Sequence, residues 1–235
     1  FQTSEDYYQQ FHISTFLRLL RYIAFILSIF VPALYIALAS FHQEMIPTPL
    51  LISMLAAHEG VPYPMTVEVF LMEGIFEILR EAGIRMPRVI GPAISIVGAL
   101  VIGQAAVDAG LISAMIVIIV SVTAISSFAI PNYSMGNAAR LLRFILMFIT
   151  SIFGLFGIFM CTIVLFLELC RLKSVGVPYM SPFAPKAKIA LKDTILRFHL
   201  WKSMARPEET STDTTPRVND KDIVTGKQKK QPEFR

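Results

Sequence analysis

Charge is missing from long stretches of this 235-residue chain: 22 residues between Arg21 and Glu44, 19 between Arg88 and Asp108, 31 between Asp108 and Arg140, and 24 between Arg143 and Glu168. A soluble domain of this size spreads charge over its surface helices, so these gaps argue against a water-facing exterior. Cysteine is scarce as well. Cys161 and Cys170 are nine residues apart in one helical pattern; about 13 Å of rise separates them at 1.5 Å per residue, too far to bridge each other. The four histidines, His12, His42, His58 and His199, stand at no ligand spacing with cysteine or acid, so neither a metal centre nor a cofactor is expected. The chain also lacks a Gly-rich phosphate loop and a GxSxG elbow, and His58-Glu59 has no second histidine to make a zinc-protease helix. With no catalytic constellation, an enzyme is not expected.

What is present is apolar: 54% of residues are hydrophobic and the mean hydropathy is +0.61. A hydrocarbon core of about 30 Å takes roughly 20 helical residues, and backbone groups in lipid must pair internally. Each charge gap therefore predicts a span: Tyr22 to Ser40, Val89 to Val107, Leu111 to Ile130 and Phe144 to Leu167. The expected fold is an all-α integral membrane protein with about four transmembrane helices, a re-entrant or interfacial connector, an amphipathic helix and a disordered C-terminal tail. The expected division is a pre-membrane segment (1–21), a transmembrane helical domain (22–170), a cytoplasmic juxtamembrane segment (171–206) and the tail (207–235). The opening FQTSEDYYQQ lacks the basic-then-apolar pattern of a signal peptide, which suggests a fragment whose soluble N-terminal part lies outside this chain.

The net charge of +4 hides an asymmetry, since Arg171 to Arg235 holds 14 Lys/Arg against 7 Asp/Glu and the remainder holds 7 against 10. That basic excess favours a cytoplasmic C-terminus near anionic lipid and, interleaved with acids and prolines, does not suggest nucleic acid. Arg18 and Arg21 mark the start of the first span as cytoplasmic, and Pro32 in mid-span predicts a kink. Four spans with both ends inside place Arg140 and Arg143 outside, against the positive-inside tendency. Those arginines then snorkel or are buried between subunits, or Met65 to Arg85 also crosses.

The uncharged stretch Met45 to His58, flanked by Pro47, Pro49, Pro62 and Pro64, is too short to cross and suits a re-entrant or interfacial connector. In Met65 to Arg85, Glu73, Glu77 and Glu81 recur every four residues on one face of an amphipathic helix. Two readings stay open: ion pairing at a surface or between subunits, helped by Arg80 and Arg85, or an acidic row that attracts cations at a pathway mouth. Asp108, at the turn between the second and third spans, is a further acidic candidate, and Gly110 suits that turn. Ala99 and Gly103, then Ala106 and Gly110, have the small-xxx-small spacing of close helix packing. Ile116, Ile119, Thr123, Ser126, Ser127 and Ile130 share roughly one face of the third span and are candidates to line a pore with a hydrophobic gate. The same hydroxyls could instead bond their own backbone or a neighbouring helix.

The stretch IGPAISIVGALVIGQAAVDAGLISAMIVIIVSVTAISSFAIPNYSMG from Ile90 to Gly136 resembles the A subunit of GerA-type spore germinant receptors. DYYQQF, RLLRYIAF at Arg18 to Phe25, ILREAGIRMPR at Ile78 to Arg88, LKSVGVPYMSPFAP at Leu172 to Pro185 and KDTILRFHLWKSMARP from Lys192 follow the same family in order. The resemblance implies the membrane-embedded C-terminal part of an A subunit in the spore inner membrane, with its C-terminus on the core side. It further implies B and C subunits as partners, a small nutrient bound by the B subunit, and a homo-oligomeric ligand-gated cation channel. The competing expectation is a non-conducting scaffold that couples a sensing partner to downstream effectors.

Overall fold

A computed structural model describes residues 1–85, 101–174, 176–181, 183–184 and 194. They are mostly helical. Helix α1 runs Phe11–Ile36 and continues through a wide turn of π type, Ala37–Phe41. Helix α2 is Thr48–His58, α3 is Met65–Arg85, α4 is described over 101–108, α5 is Ala114–Phe128 and α6 is Tyr133–Arg171. Two short strands, β1 (Lys173–Ser174) and β2 (Val177–Pro178), pair antiparallel around Gly176.

The chain forms two compact units. The larger comprises Phe1 and Arg21–Leu165. Its core gathers Ala33 and Ile36 of α1, Val69, Met72 and Phe76 of α3, Ile116, Val120 and Ala124 of α5, and Leu146 and Met147 of α6. The smaller comprises Gln2–Leu20 with Phe166–Arg235. Within it, buried Asp6 lies 3.6 Å from the buried Arg18 guanidinium, and the Ser14 hydroxyl donates to the Asp6 carbonyl at 2.7 Å.

Among the described residues, two helices are long and apolar enough to cross a membrane: the continuous Phe11–Phe41 and Tyr133–Arg171. The first and fourth expected spans lie within them. The third expected span, Leu111 to Ile130, is a helix of 15 residues, about 22 Å at 1.5 Å per residue, and is classed with the shorter apolar helices. Leu111 and Ile112 belong to the turn before it, and Pro131 biases Ile130 out of helical geometry. Residues 89–100 of the second expected span and the expected tail 207–235 lie outside the described residues.

Local chemistry accounts for the helix ends. α2 starts behind Pro47 with Pro49 in its first turn, where the missing N–H costs nothing, and of its 11 residues only Met54 is buried. The turn after α4 is a Schellman motif: Gly110, with φ of 65°, donates to Val107, and Leu111 donates to Ala106. Gly103 of α4 is buried where an added Cβ would lie 3.2 Å from Val117 Cγ1, so its lack of a side chain permits close approach to α5. Ala106 packs partly buried on the core; Ala99 is outside the described residues.

Helix α6 is broken at Gly154 (φ 60°, ψ −142°), which separates 133–153 from 155–171. An L side chain is strained at that φ, and a Cβ there would lie 3.0 Å from Phe41 Cγ and 3.1 Å from Phe41 Cβ. Gly154→Ala is expected to destabilise the protein by about 2–4 kcal/mol through strain and overpacking. Gly74→Ala in α3, where an added Cβ meets nothing within 4 Å, is expected to gain up to about 1 kcal/mol from helix propensity. Thermal unfolding of the detergent-solubilised protein checks both.

Candidate functional site

The amphipathic α3 carries ionisable side chains among apolar helices, and each faces a different partner. Glu68 is fully buried; its Oε2 accepts the Ser113 backbone N–H at 2.8 Å and its Oε1 lies 2.7 Å from His58 Nδ1. Ser113 is the N-cap of α5 but makes no side-chain cap. The Glu68 carboxyl oxygen therefore takes the place of a side-chain cap for this backbone N–H.

One and a half turns along α3, Glu73 meets Arg143 of α6 at 2.7 Å, both side chains wholly buried. Arg143 has a second task. Pro32 has no N–H, so the carbonyl four residues earlier in α1, that of Ser28, loses its helical partner. Arg143 Nε donates to that carbonyl at 2.7 Å. A single guanidinium thus joins the proline-freed backbone of α1, the carboxylate of α3 and its own helix α6. Burial pushes the Glu73 carboxyl pKa up, and Arg143 opposes that shift. Without Arg143, protonation would be the easier state for this carboxyl.

A turn further on, Glu77 pairs with Arg140, which also donates to the Asn137 side chain. Arg80 donates to the Ser127 hydroxyl at 3.1 Å and lies 5.6 Å from the Phe128 ring centroid. Burial, then the neighbouring Arg140 charge, pushes the Arg80 pKa down. Glu81 is half exposed and pairs with Arg85 four residues on, at 2.8 Å. Of the acidic row, then, Glu73 and Glu77 turn to α6 and Glu81 to solvent. Arg140 and Arg143, awkward for a count of positive charges by side, are both neutralised by α3.

On α5, Ile116, Thr123, Ser126 and Ser127 are buried and Ile119 is partly buried; Ile130, also partly buried, lies beyond the end of the helix. The α5 core residues among them pack with those of α3. The Thr123 hydroxyl donates to the Ile119 carbonyl at 2.8 Å and that of Ser127 to the Ala124 carbonyl at 2.6 Å. The opposite face, with Ile118, Val122, Ile125 and Phe128, is exposed. Asp108 is exposed and accepts from Gln104 at 2.9 Å. Sequence reasoning passed over Glu68, His58 and Ser28. A signal existed for Ser28 alone, because a mid-helix proline marks the carbonyl four residues before it.

A sequence model of the family described as "Bacillus/Clostridium GerA spore germination protein" matches residues 1–209. Spore germination protein KA of Bacillus subtilis (strain 168) is 52% identical over 211 residues, covering 90% of this chain and 39% of the relative. Spore germination protein GerLA of Bacillus cereus is 42% identical over 222 residues, 94% of this chain and 45% of the relative. Spore germination protein A1 of Bacillus subtilis (strain 168) is 42% identical over 220 residues, 91% and 45%. The chain thus spans less than half the length of these curated relatives. No solved structure matches it.

Removing one member of the buried Glu73–Arg143 pair strands the other, so Glu73→Leu and Arg143→Leu are each expected to cost about 3–5 kcal/mol. The double variant is expected to recover much of the Glu73 share but to leave the Ser28 carbonyl unpaired, at about 1–3 kcal/mol. Glu81→Gln, at an exposed pair, is expected to stay within about 0.5 kcal/mol of the parent. Comparative thermal unfolding in one detergent checks the series.

Proposed function

The chain belongs to the Bacillus/Clostridium GerA spore germination protein family, and from that premise we propose that it is the membrane-embedded part of the A subunit of a nutrient germinant receptor. In this reading it works in the spore inner membrane beside B and C subunits, with the nutrient held by the B subunit. The basic C-terminal segment lies on the core side, where anionic lipid attracts it. Copies of the subunit surround a cation pathway that opens on nutrient binding.

The observation that carries the channel reading is the buried charge of α3. Ionised groups kept among apolar helices are costly and usually mark a path for ions or protons. The hydroxyl and isoleucine face of α5, Ile116, Ile119, Thr123, Ser126 and Ser127, with Ile130 just past the helix end, lies along this charged helix. In a closed state that face is held against α3; opening turns it to the pathway, with the isoleucines as a gate that holds by dewetting. Glu73, Glu77, Glu81 and Asp108 bias the pathway toward cations.

A second reading, a non-conducting scaffold that passes a partner's signal onward, is favoured by one observation. The Thr123 and Ser127 hydroxyls already bond their own helix, as packing groups do. Potassium and sodium efflux from liposomes holding the full-length protein with its partner subunits separates the two. A channel is expected to release cations on nutrient addition, with Ile119→Ala raising the basal leak several-fold. Tight vesicles for parent and variant, despite assembly and nutrient binding, would establish the scaffold.

A further inference from the structure

The rungs between α3 and α6 run antiparallel: Glu73 meets Arg143, and Glu77, four residues on, meets Arg140, three residues back. Four residues beyond Glu77 stands Glu81, engaged only in an exposed pair within its own helix. The ladder therefore has three carboxylates on one side and two guanidiniums on the other. If α3 moves by one turn toward its own N-terminus, Glu77 reaches the place of Glu73 opposite Arg143, and Glu81 reaches the place of Glu77 opposite Arg140. Both arginines are paired in either arrangement; the displaced one moves Glu73 to the buried place of Val69, away from Arg143, where the carboxyl is carried in its neutral form. We propose that α3 and segment 133–153 of α6 form a two-register charge ladder, the described register and one displaced by a helical turn, with Glu81 as the spare rung.

Three further observations support this inference, which goes beyond the channel reading and does not rest on it. First, the rungs leave bonding capacity unused: Glu73 Oε1, Glu77 Oε2, Arg140 Nε and Arg143 Nη2 are buried without a hydrogen-bond partner. Bidentate pairs would lock one register, whereas these hold it at single points. Second, the contacts that choose the described register lie away from α6: Glu68 against the Ser113 N–H and His58, Arg80 against the Ser127 hydroxyl, and Thr66 against the Ser40 hydroxyl. They select one of two positions between which the α6 arginines discriminate little, as a two-state element requires. Third, the chain is jointed at the ends of the ladder. Gly154 breaks α6 behind 133–153, and Gly60 (φ 102°), Pro62 and Pro64 precede α3. One-turn displacement of one packed element past another is an established type of switching motion.

The test leaves the two occupied rungs intact and measures the slide. Nitroxide labels are placed at Ile84→Cys and Phe148→Cys, both exposed positions, in full-length protein whose native cysteines, Cys161 and Cys170 among them, are replaced by Ser. The labelled protein is diluted into unlabelled copies in lipid nanodiscs, and pulsed dipolar spectroscopy reads the label separation. Two populations are expected, the minor one shorter by about 6 Å, four residues of helical rise. Glu68→Gln is expected to raise the minor population several-fold, and Glu81→Gln to abolish it. A single separation that neither substitution changes would overturn the two-register ladder, whatever the flux measurements show. Should the first labelled pair fail to fold, labels at Ile78 and Ile152, also exposed, read the same displacement.

Discussion

A guanidinium with two obligations organises the larger unit. Arg143 answers the carbonyl that Pro32 strands in α1 and the carboxylate of Glu73 in α3, each at 2.7 Å. Either demand alone is expensive in an apolar surrounding: an unpaired carbonyl, or an unpaired carboxylate. Met together, they join α1, α3 and α6 at one buried point. The apolar core of Ile36, Val69, Met72, Leu146 and Met147 then closes around that junction. The proline, which alone would weaken α1, becomes the reason an arginine can be held there.

Much of the local structure was legible from residue order. The amphipathic helix Met65–Arg85, the glycine turn at Gly110, the close approach at Gly103 and the proline-led start of α2 all follow from chemistry within a few residues. The resemblance to spore germinant receptor A subunits, carried by motifs from Asp6 to Pro207, agrees with the family match over residues 1–209. Span counting from charge gaps was less dependable. The stretch between Asp108 and Arg140 has no charge, yet the turn at Gly110 and the proline at Pro131 trim its helix to Ala114–Phe128.

The site was half legible. The four-residue spacing of Glu73, Glu77 and Glu81 showed that they share a face, but not what lies across from it. Arg143 is 70 positions from Glu73, and one sequence carries no signal for a contact that distant. The pairing of His58 with Glu68 was not legible for a different reason. Neither belongs to a recognisable motif, and their meeting depends on how the connector after α2 folds back.

The break at Gly154 also bears on the surroundings of α6. An uninterrupted helix of 39 residues would be about 58 Å long, nearly twice the hydrocarbon thickness of a bilayer. Such a rod suffers severe hydrophobic mismatch unless it tilts steeply or the lipid thickens around it. A glycine near its midpoint divides it into pieces of 21 and 17 residues, each close to a single bilayer's worth of rise. Placed in a bilayer, the two pieces would present helices of ordinary length, and the membrane would not have to deform to receive the longest of the described elements.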